Sequence, residues 1–305
     1  MDTFSSRVAG LFYGGAAAEA AAITPEGTDY STGTQLGLYV ADGLLEVLEW
    51  SAQGEAADPP AAIWLALLRW YNNRYGAFPD GLPAAPGRNI DDHPVYPGDV
   101  DDATKAGLEE PEMGLPHKPH GVESTGTDAL VRAAPLGLIP QVDAEWVVKM
   151  SRQAAVLTHN DWLPPAAYSL LVHHIVAGKT FIAAVTEVLA WLDDQGDDGR
   201  QLAQALRDGL SDSASSEPTI TAREVLAAAV RAVADTLEEA VAPEQFFATA
   251  VTKAVDGGGK TQPTAVLAGQ LIGVLLGNTA TGTPAHLKHY LVLEETVDRW
   301  IHFTS

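Results

Sequence analysis

The chain contains no cysteine. That excludes a disulfide framework and any site built on thiolate ligands. Positive charge is also scarce: 18 Lys and Arg stand against 40 Asp and Glu, for a net charge of −22. So acidic a surface is repelled by phosphate backbones and anionic lipid, and neither nucleic acid nor a membrane is expected as a partner. No apolar run is long and pure enough to span a bilayer. The apolar N-terminal stretch is broken by Glu19 and reads as a buried helix rather than a signal peptide. A soluble, cytoplasmic protein is expected. Clear strand alternation is missing as well, which leaves helices to carry the fold.

What is present is a 305-residue chain, 46% hydrophobic, with enough apolar side chains for a sizeable core. Helical periodicity predicts helices over 4–22, 34–50, 61–75, 144–157, 164–177, 179–194, 197–210, 222–240, 244–255 and 264–277, with a last one from Thr283-Pro284 to about His302. Asp143 suits an N-cap, and Thr221 with Glu224 fits a capping box. Ser31 or Thr32 reads as the N-cap of the second helix. No repeat or linker divides the chain, so one all-α domain over 1–305 is expected. Residues 76–121 differ in kind. Eight of the 19 prolines fall there, with acidic pairs such as Asp101-Asp102. Such a segment is either a functional lid or rim, or a disordered insertion.

The chain is organised around residues 256–277, DGGGKTQPTAVLAGQLIGVLLG. Three glycines allow close approach of backbone to a ligand or to another helix. Ala265, Gly269, Gly273 and Gly277 then recur every four residues, on a face where a second helix can pack closely. Four further stretches are singled out. One is the N-terminal run with Gly10, Gly14, Ala16 and Glu19. The second is Tyr30-Ser-Thr-Gly-Thr-Gln. The third is a glycine loop, Gly126-Thr127-Asp128, followed by Arg132 and Pro135-Leu136-Gly137. The last is Thr158-His159.

In this order and at this spacing, the five stretches resemble the signatures of the ADP-ribosylglycohydrolase family. The resemblance implies a single-domain orthogonal helical bundle and hydrolysis of N- or O-glycosidic bonds of ADP-ribose by a pair of Mg²⁺ ions. It also implies which residues would hold those ions. Ser31, Thr32 and Gly33 stand where the family has Thr-Asp-Asp, and Lys260, Gln262 and Pro263 where it has two aspartates and a threonine. Four ligand aspartates are thus replaced by a hydroxyl, a hydrogen, an ammonium and an amide, which cannot neutralise two divalent cations. No metal cofactor is expected.

Three functional readings follow. The first is a catalytically inactive relative, a pseudoenzyme that binds ADP-ribose, a related nucleotide or an ADP-ribosylated protein. Gly126, Thr127, Asp128, His159, Gly258, Gly259, Lys260 and Gln262 would then form the ligand site. The second is a metal-independent hydrolase working with acids alone, for which Glu19, Asp256 and Asp128 are the candidates. The third is a purely structural or interaction protein on this fold. Lys260 is expected either to hold an anion or to pair with Glu19 or Asp256.

Overall fold

The computed structural model describes residues 3–24, 26–95, 98–211, 219–239 and 241–304. Among them the chain forms α1 (Thr3–Ile23), α2 (Thr32–Ala52), α3 (Pro59–Tyr75), α4 (Asp102–Glu109), α5 (Asp128–Val131), α6 (Ala144–Ala155) and α7 (Leu163–Val176). Then come α8 (Phe181–Asp193), α9 (Gly196–Gly209), α10 (Ala222–Glu238), α11 (Phe246–Asp256), α12 (Thr261–Leu276), α13 (Asn278–Thr281) and α14 (Tyr290–Thr304). Among the described residues there is no strand, only two isolated bridges. The chain is a single all-α domain, as the periodicity predicts.

The centre of the domain is the antiparallel pair α1 and α12, and small residues explain it. A Cβ at Gly273 would lie 1.9 Å from the Gly10 carbonyl oxygen, and one at Gly269 would lie 2.3 Å from that of Gly14. The backbones therefore touch along the Gly269–Gly273 face, with no room for a side chain on either helix. Val8, Leu11, Leu267 and Leu271, all fully buried, carry the core outward from this seam.

A second organising feature is Asp42 on α2, which is 1% exposed. Its Oδ2 accepts from Arg69 Nη2 at 2.8 Å and Arg88 Nε at 2.7 Å, and its Oδ1 from Arg299 Nη1 at 2.9 Å. Glu49, two turns on, takes Arg88 Nη2 at 3.0 Å and pairs with Arg299. One buried carboxylate thus joins α2 to α3, to α14 and to the Pro-rich segment through Arg88.

That segment is more structured than its composition suggests. It contains a 3-10 turn, Asn89–Asp92, and all of α4. Asn73 Nδ2 donates to the Asp91 carbonyl at 3.2 Å, and Arg74 Nη2 to that of Gly98 at 2.9 Å. Gly98 then lies against Ser31 and Thr32, where a Cβ would stand 2.8 Å from that of Ser31.

Most predicted helix ends agree with the structure. Asp143 accepts from Trp146 N at 2.8 Å, and the Thr221–Glu224 capping box is formed. Three differ. Ser31 occupies the N-cap position of α2, but its hydroxyl makes no cap bond; it donates across to another helix, as described below. A 3-10 turn, Pro243–Gln245, precedes α11, which begins at Phe246. The last helix begins at Tyr290 rather than at Thr283-Pro284. There the Lys288 N–H is drawn to the Thr28 carbonyl at 3.1 Å and Leu287 N closes a turn on Pro284 O, so the helical ladder cannot start earlier.

Candidate functional site

A polar cavity of about 520 Å³ opens between the starts of α2 and α12 and the middle of the Pro-rich segment. It is lined by residues 31–33, 99–102, 127–128 and 259–263, with Glu19 and Val131.

The α2 wall is set by Glu19 of α1, 2% exposed. Its carboxylate accepts from Gly33 N at 3.1 Å, Thr34 N at 3.0 Å and the Ser31 hydroxyl at 2.8 Å. Glu19 is the N-cap that local sequence assigns to Ser31, supplied from a different helix. The first N–H groups of α2 need an acceptor, and a carboxylate in the positive field of a helix start is well placed to serve. Beside its expected place in the site, Glu19 thus has a structural role: its oxygens are engaged with three donors and hold the wall. Glu19→Ala should destabilise the protein by about 2 kcal/mol, the upper end for loss of a helix cap. Urea denaturation checks this, and a change of a few tenths would sink the capping role.

The α12 wall follows from the glycines before it. Gly258 and Gly259 both have φ +72, in the left-handed region that favours glycine. A Cβ at Gly259 would meet the Thr219 backbone at 2.3 Å, and Lys260 N donates to Thr219 O at 2.9 Å. The chain is thereby turned so that residues 259–263 face the cavity. Lys260 pairs with neither of the two acids expected for it. Its ammonium donates to Asp101 Oδ1 at 3.0 Å, not to Glu19 or Asp256.

Asp101 is the hub of the third side. Its Oδ2 accepts from the backbone N–H groups of Thr127 and Asp128, the latter at 2.8 Å. In return, its own N–H donates to Asp128 Oδ2 at 2.9 Å, and Thr104 Oγ1 donates to the same oxygen at 2.7 Å. His159 Nε2 lies 3.5 Å from Asp101 Oδ2. Burial alone would raise the pKa of Asp101, but the His159 ring, the Asp128 N–H and the Lys260 ammonium outweigh it and hold the carboxyl well below the usual range. Burial, and then the charge of Asp101, push Asp128 the other way. Behind them Arg132, 1% exposed, donates to Thr158 Oγ1 at 2.7 Å. Burial pulls the His159 ring below its ordinary value, with Asp101 opposing.

The residues singled out in the sequence do not all meet here. Ser31, Thr32, Gly33, Gly259, Lys260, Gln262 and Pro263 share the cavity wall with Glu19, Thr127 and Asp128. Gly126 and His159 lie one layer behind, against Asp101. Gly258 and Asp256 are not among the lining residues. Asp256 is exposed at the end of α11, which removes it from the candidate acids. Sequence reasoning missed Asp101. It lies in an irregular segment without periodicity, and its partners are 26 to 159 residues away.

A family model for ADP-ribosylglycohydrolases matches residues 1–303. The chain belongs to the ADP-ribosylglycohydrolase family. Among solved structures it resembles an "ADP-ribosylglycohydrolase-related protein complex", with 20% identity over 100% of both chains and a TM-score of 0.66, a likeness of fold. No curated protein matches the chain. Among the described residues of this family member, no helix is long and apolar enough to cross a membrane.

Proposed function

We propose that this family member binds an ADP-ribose-type ligand, free or carried on an ADP-ribosylated protein, without magnesium-dependent hydrolysis. The observation that carries the reading is Lys260: the one cationic side chain among the cavity-lining residues stands where the family resemblance implies a metal-binding aspartate. The other implied ligand positions, Ser31, Thr32, Gly33, Gln262 and Pro263, line the same cavity. The residues there do not fit a pair of Mg²⁺ ions. Hard cations seek carboxylate oxygens, and these positions offer hydroxyls, an amide and an ammonium. Of the acids that line the cavity, Glu19 is taken up by its three donors and Asp101 by Lys260 and the Thr127 and Asp128 N–H groups, while Asp99, Asp102 and Asp128 stand outside the implied ligand positions. Among the described residues, no group of three or more His, Asp or Glu is arranged to hold a cation.

Binding has support of its own. Thr32 is 3% exposed and its Oγ1 has no hydrogen-bond partner among the described residues, although it lines the cavity. A buried hydroxyl without a partner is costly and suits a ligand's polar group. Calorimetric titration of ADP-ribose, with Mg²⁺ and then with EDTA, tests the proposal. The expected result is the same saturable binding in both, with no ADP-ribose released from an ADP-ribosylated protein. Binding that requires Mg²⁺, or release of ADP-ribose, overturns it. No binding under either condition leaves the fold as an interaction surface.

A further inference from the structure

The acids Glu19, Asp99, Asp101, Asp102 and Asp128 line the cavity against a single ammonium, that of Lys260. Three of them have partners within the fold. Glu19 caps α2. Asp101 accepts from Lys260 and from the Thr127 and Asp128 N–H groups, and Asp128 accepts from Thr104 and the Asp101 N–H. Asp99 and Asp102 are different. Both are exposed, and neither side chain makes a hydrogen bond or ion pair among the described residues. Lys105 on the same helix does not serve them, because it pairs with Glu109 at 3.9 Å and lies 5.6 Å from the Tyr75 ring. Asp102 sits in the first turn of α4, where an acid suits the positive field of a helix start. Asp99 lies ahead of the helix and has no such role. A separate observation marks the same side of the cavity. Thr32 is 3% exposed and lines the cavity, and its Oγ1 has no partner among the described residues. A Cβ on Gly98, the residue before Asp99, would stand 2.9 Å from that oxygen. The hydroxyl can accept from an N–H donor that enters there.

We propose that Asp99, Asp102 and the Thr32 hydroxyl form a cation subsite, which takes a lysine or arginine flanking the modified residue of an ADP-ribosylated protein. The inference rests on the proposed binding of an ADP-ribose-type ligand in this cavity, and it favours the protein-carried form over the free one. Free ADP-ribose is an anion. It meets two carboxylates without counter-charge and one ammonium already paired with Asp101. The same two carboxylates attract a basic segment, and the cations of that segment offset the ligand's own charge. An ammonium or guanidinium carries several N–H donors, enough to serve a carboxylate and a hydroxyl together. The net charge of −22 draws a basic partner toward the chain as well. Both acids are exposed, so salt screens the subsite and its contribution falls as ionic strength rises.

The test compares a pair of ADP-ribosylated peptides that differ only in having lysines or glutamates beside the modified residue. Both are titrated calorimetrically into the full chain, with free ADP-ribose and the unmodified lysine peptide as further probes. The native chain should bind the lysine peptide about tenfold tighter than the glutamate peptide, as two exposed ion pairs near the top of their range imply. High salt should shrink that preference. Asp99→Asn combined with Asp102→Asn should reduce it to about twofold or less, while free ADP-ribose binds no more weakly than before. Should the change at Asp102 disturb the start of α4, Asp99→Asn alone should still lower the preference about threefold. Equal affinity for the two peptides, or a preference that survives the double substitution, overturns the inference. The two proposals fail separately. Salt-sensitive binding of the unmodified lysine peptide that the double substitution abolishes, with no binding of ADP-ribose in either form, upholds the cation subsite and removes the ADP-ribose reading. Equal binding of free ADP-ribose and of both modified peptides upholds the ADP-ribose reading and removes the subsite.

Discussion

Asp42→Ala is expected to destabilise the protein by about 3–5 kcal/mol, the range for breaking a buried ion pair by removing one partner. Asp42 is 1% exposed and answers three guanidiniums. Arg69 is the decisive partner, because its side chain is 2% exposed and no solvent is available to replace the lost acceptor. Its remaining acids, Glu46 at 3.8 Å and Asp91 at 3.4 Å, are too far to compensate fully. Arg88 and Arg299 keep Glu49, so the loss falls mainly on α3 and on the seam between α2 and α14. Burial also shields the cluster from salt, and the effect should persist at high ionic strength. Urea denaturation at low and high salt measures it. A loss under about 1 kcal/mol, or one that salt abolishes, would place the cluster among ordinary surface pairs.

Gly273→Val is expected to cost about 4 kcal/mol or more, at the extreme end for point substitutions. Its Cβ would be forced to 1.9 Å from the Gly10 carbonyl oxygen and 2.4 Å from the Gly10 carbonyl carbon. These are backbone atoms, so no rotamer change relieves the contact, and α1 and α12 must separate. Separation would also expose the fully buried Leu11, Leu267 and Leu271. Gly257→Ala is the control. Gly257 has φ −64, and the nearest atom to a Cβ there is 3.7 Å away, so alanine should be neutral or slightly stabilising. A similar loss at both positions would mean that glycine matters here for chain flexibility and not for close approach.

The small-residue face of α12 could be read from the sequence because a four-residue period states directly which positions share a side. Which helix packs there was not read from the sequence, although Gly10 and Gly14 of the partner repeat the same spacing. The stretches at 31–33, 126–128 and 259–263 were legible as one site only through family order, because nothing local shows that they converge. What could not be read were contacts made across the fold by single polar atoms. Asp42 meets arginines 27, 46 and 257 residues away. Glu19 caps a helix that is not its own, and Ser31, an ordinary cap by local rules, gives its hydroxyl to Glu19 instead. Asp101 sits in a segment whose prolines and acids suggest irregularity and carry no period. Asp256 illustrates the opposite error: adjacency to a glycine loop suggested a role, and the turn at Gly258 and Gly259 leaves it facing solvent.

Helix α1 acts as a common jamb for two sides of the cavity. Its glycines fix α12 by backbone contact, and its Glu19 fixes the start of α2. Neither side can swing without breaking the central helix pair or uncapping α2, so the width between residues 31–33 and 259–263 is as rigid as the core itself. The third side, at Asp101, is fastened to its neighbours by charge and hydrogen bonds. Such a fastening yields to a competing ion far more readily than a packed seam does. The third wall is therefore more sensitive to ionic conditions than the two helical walls beside it.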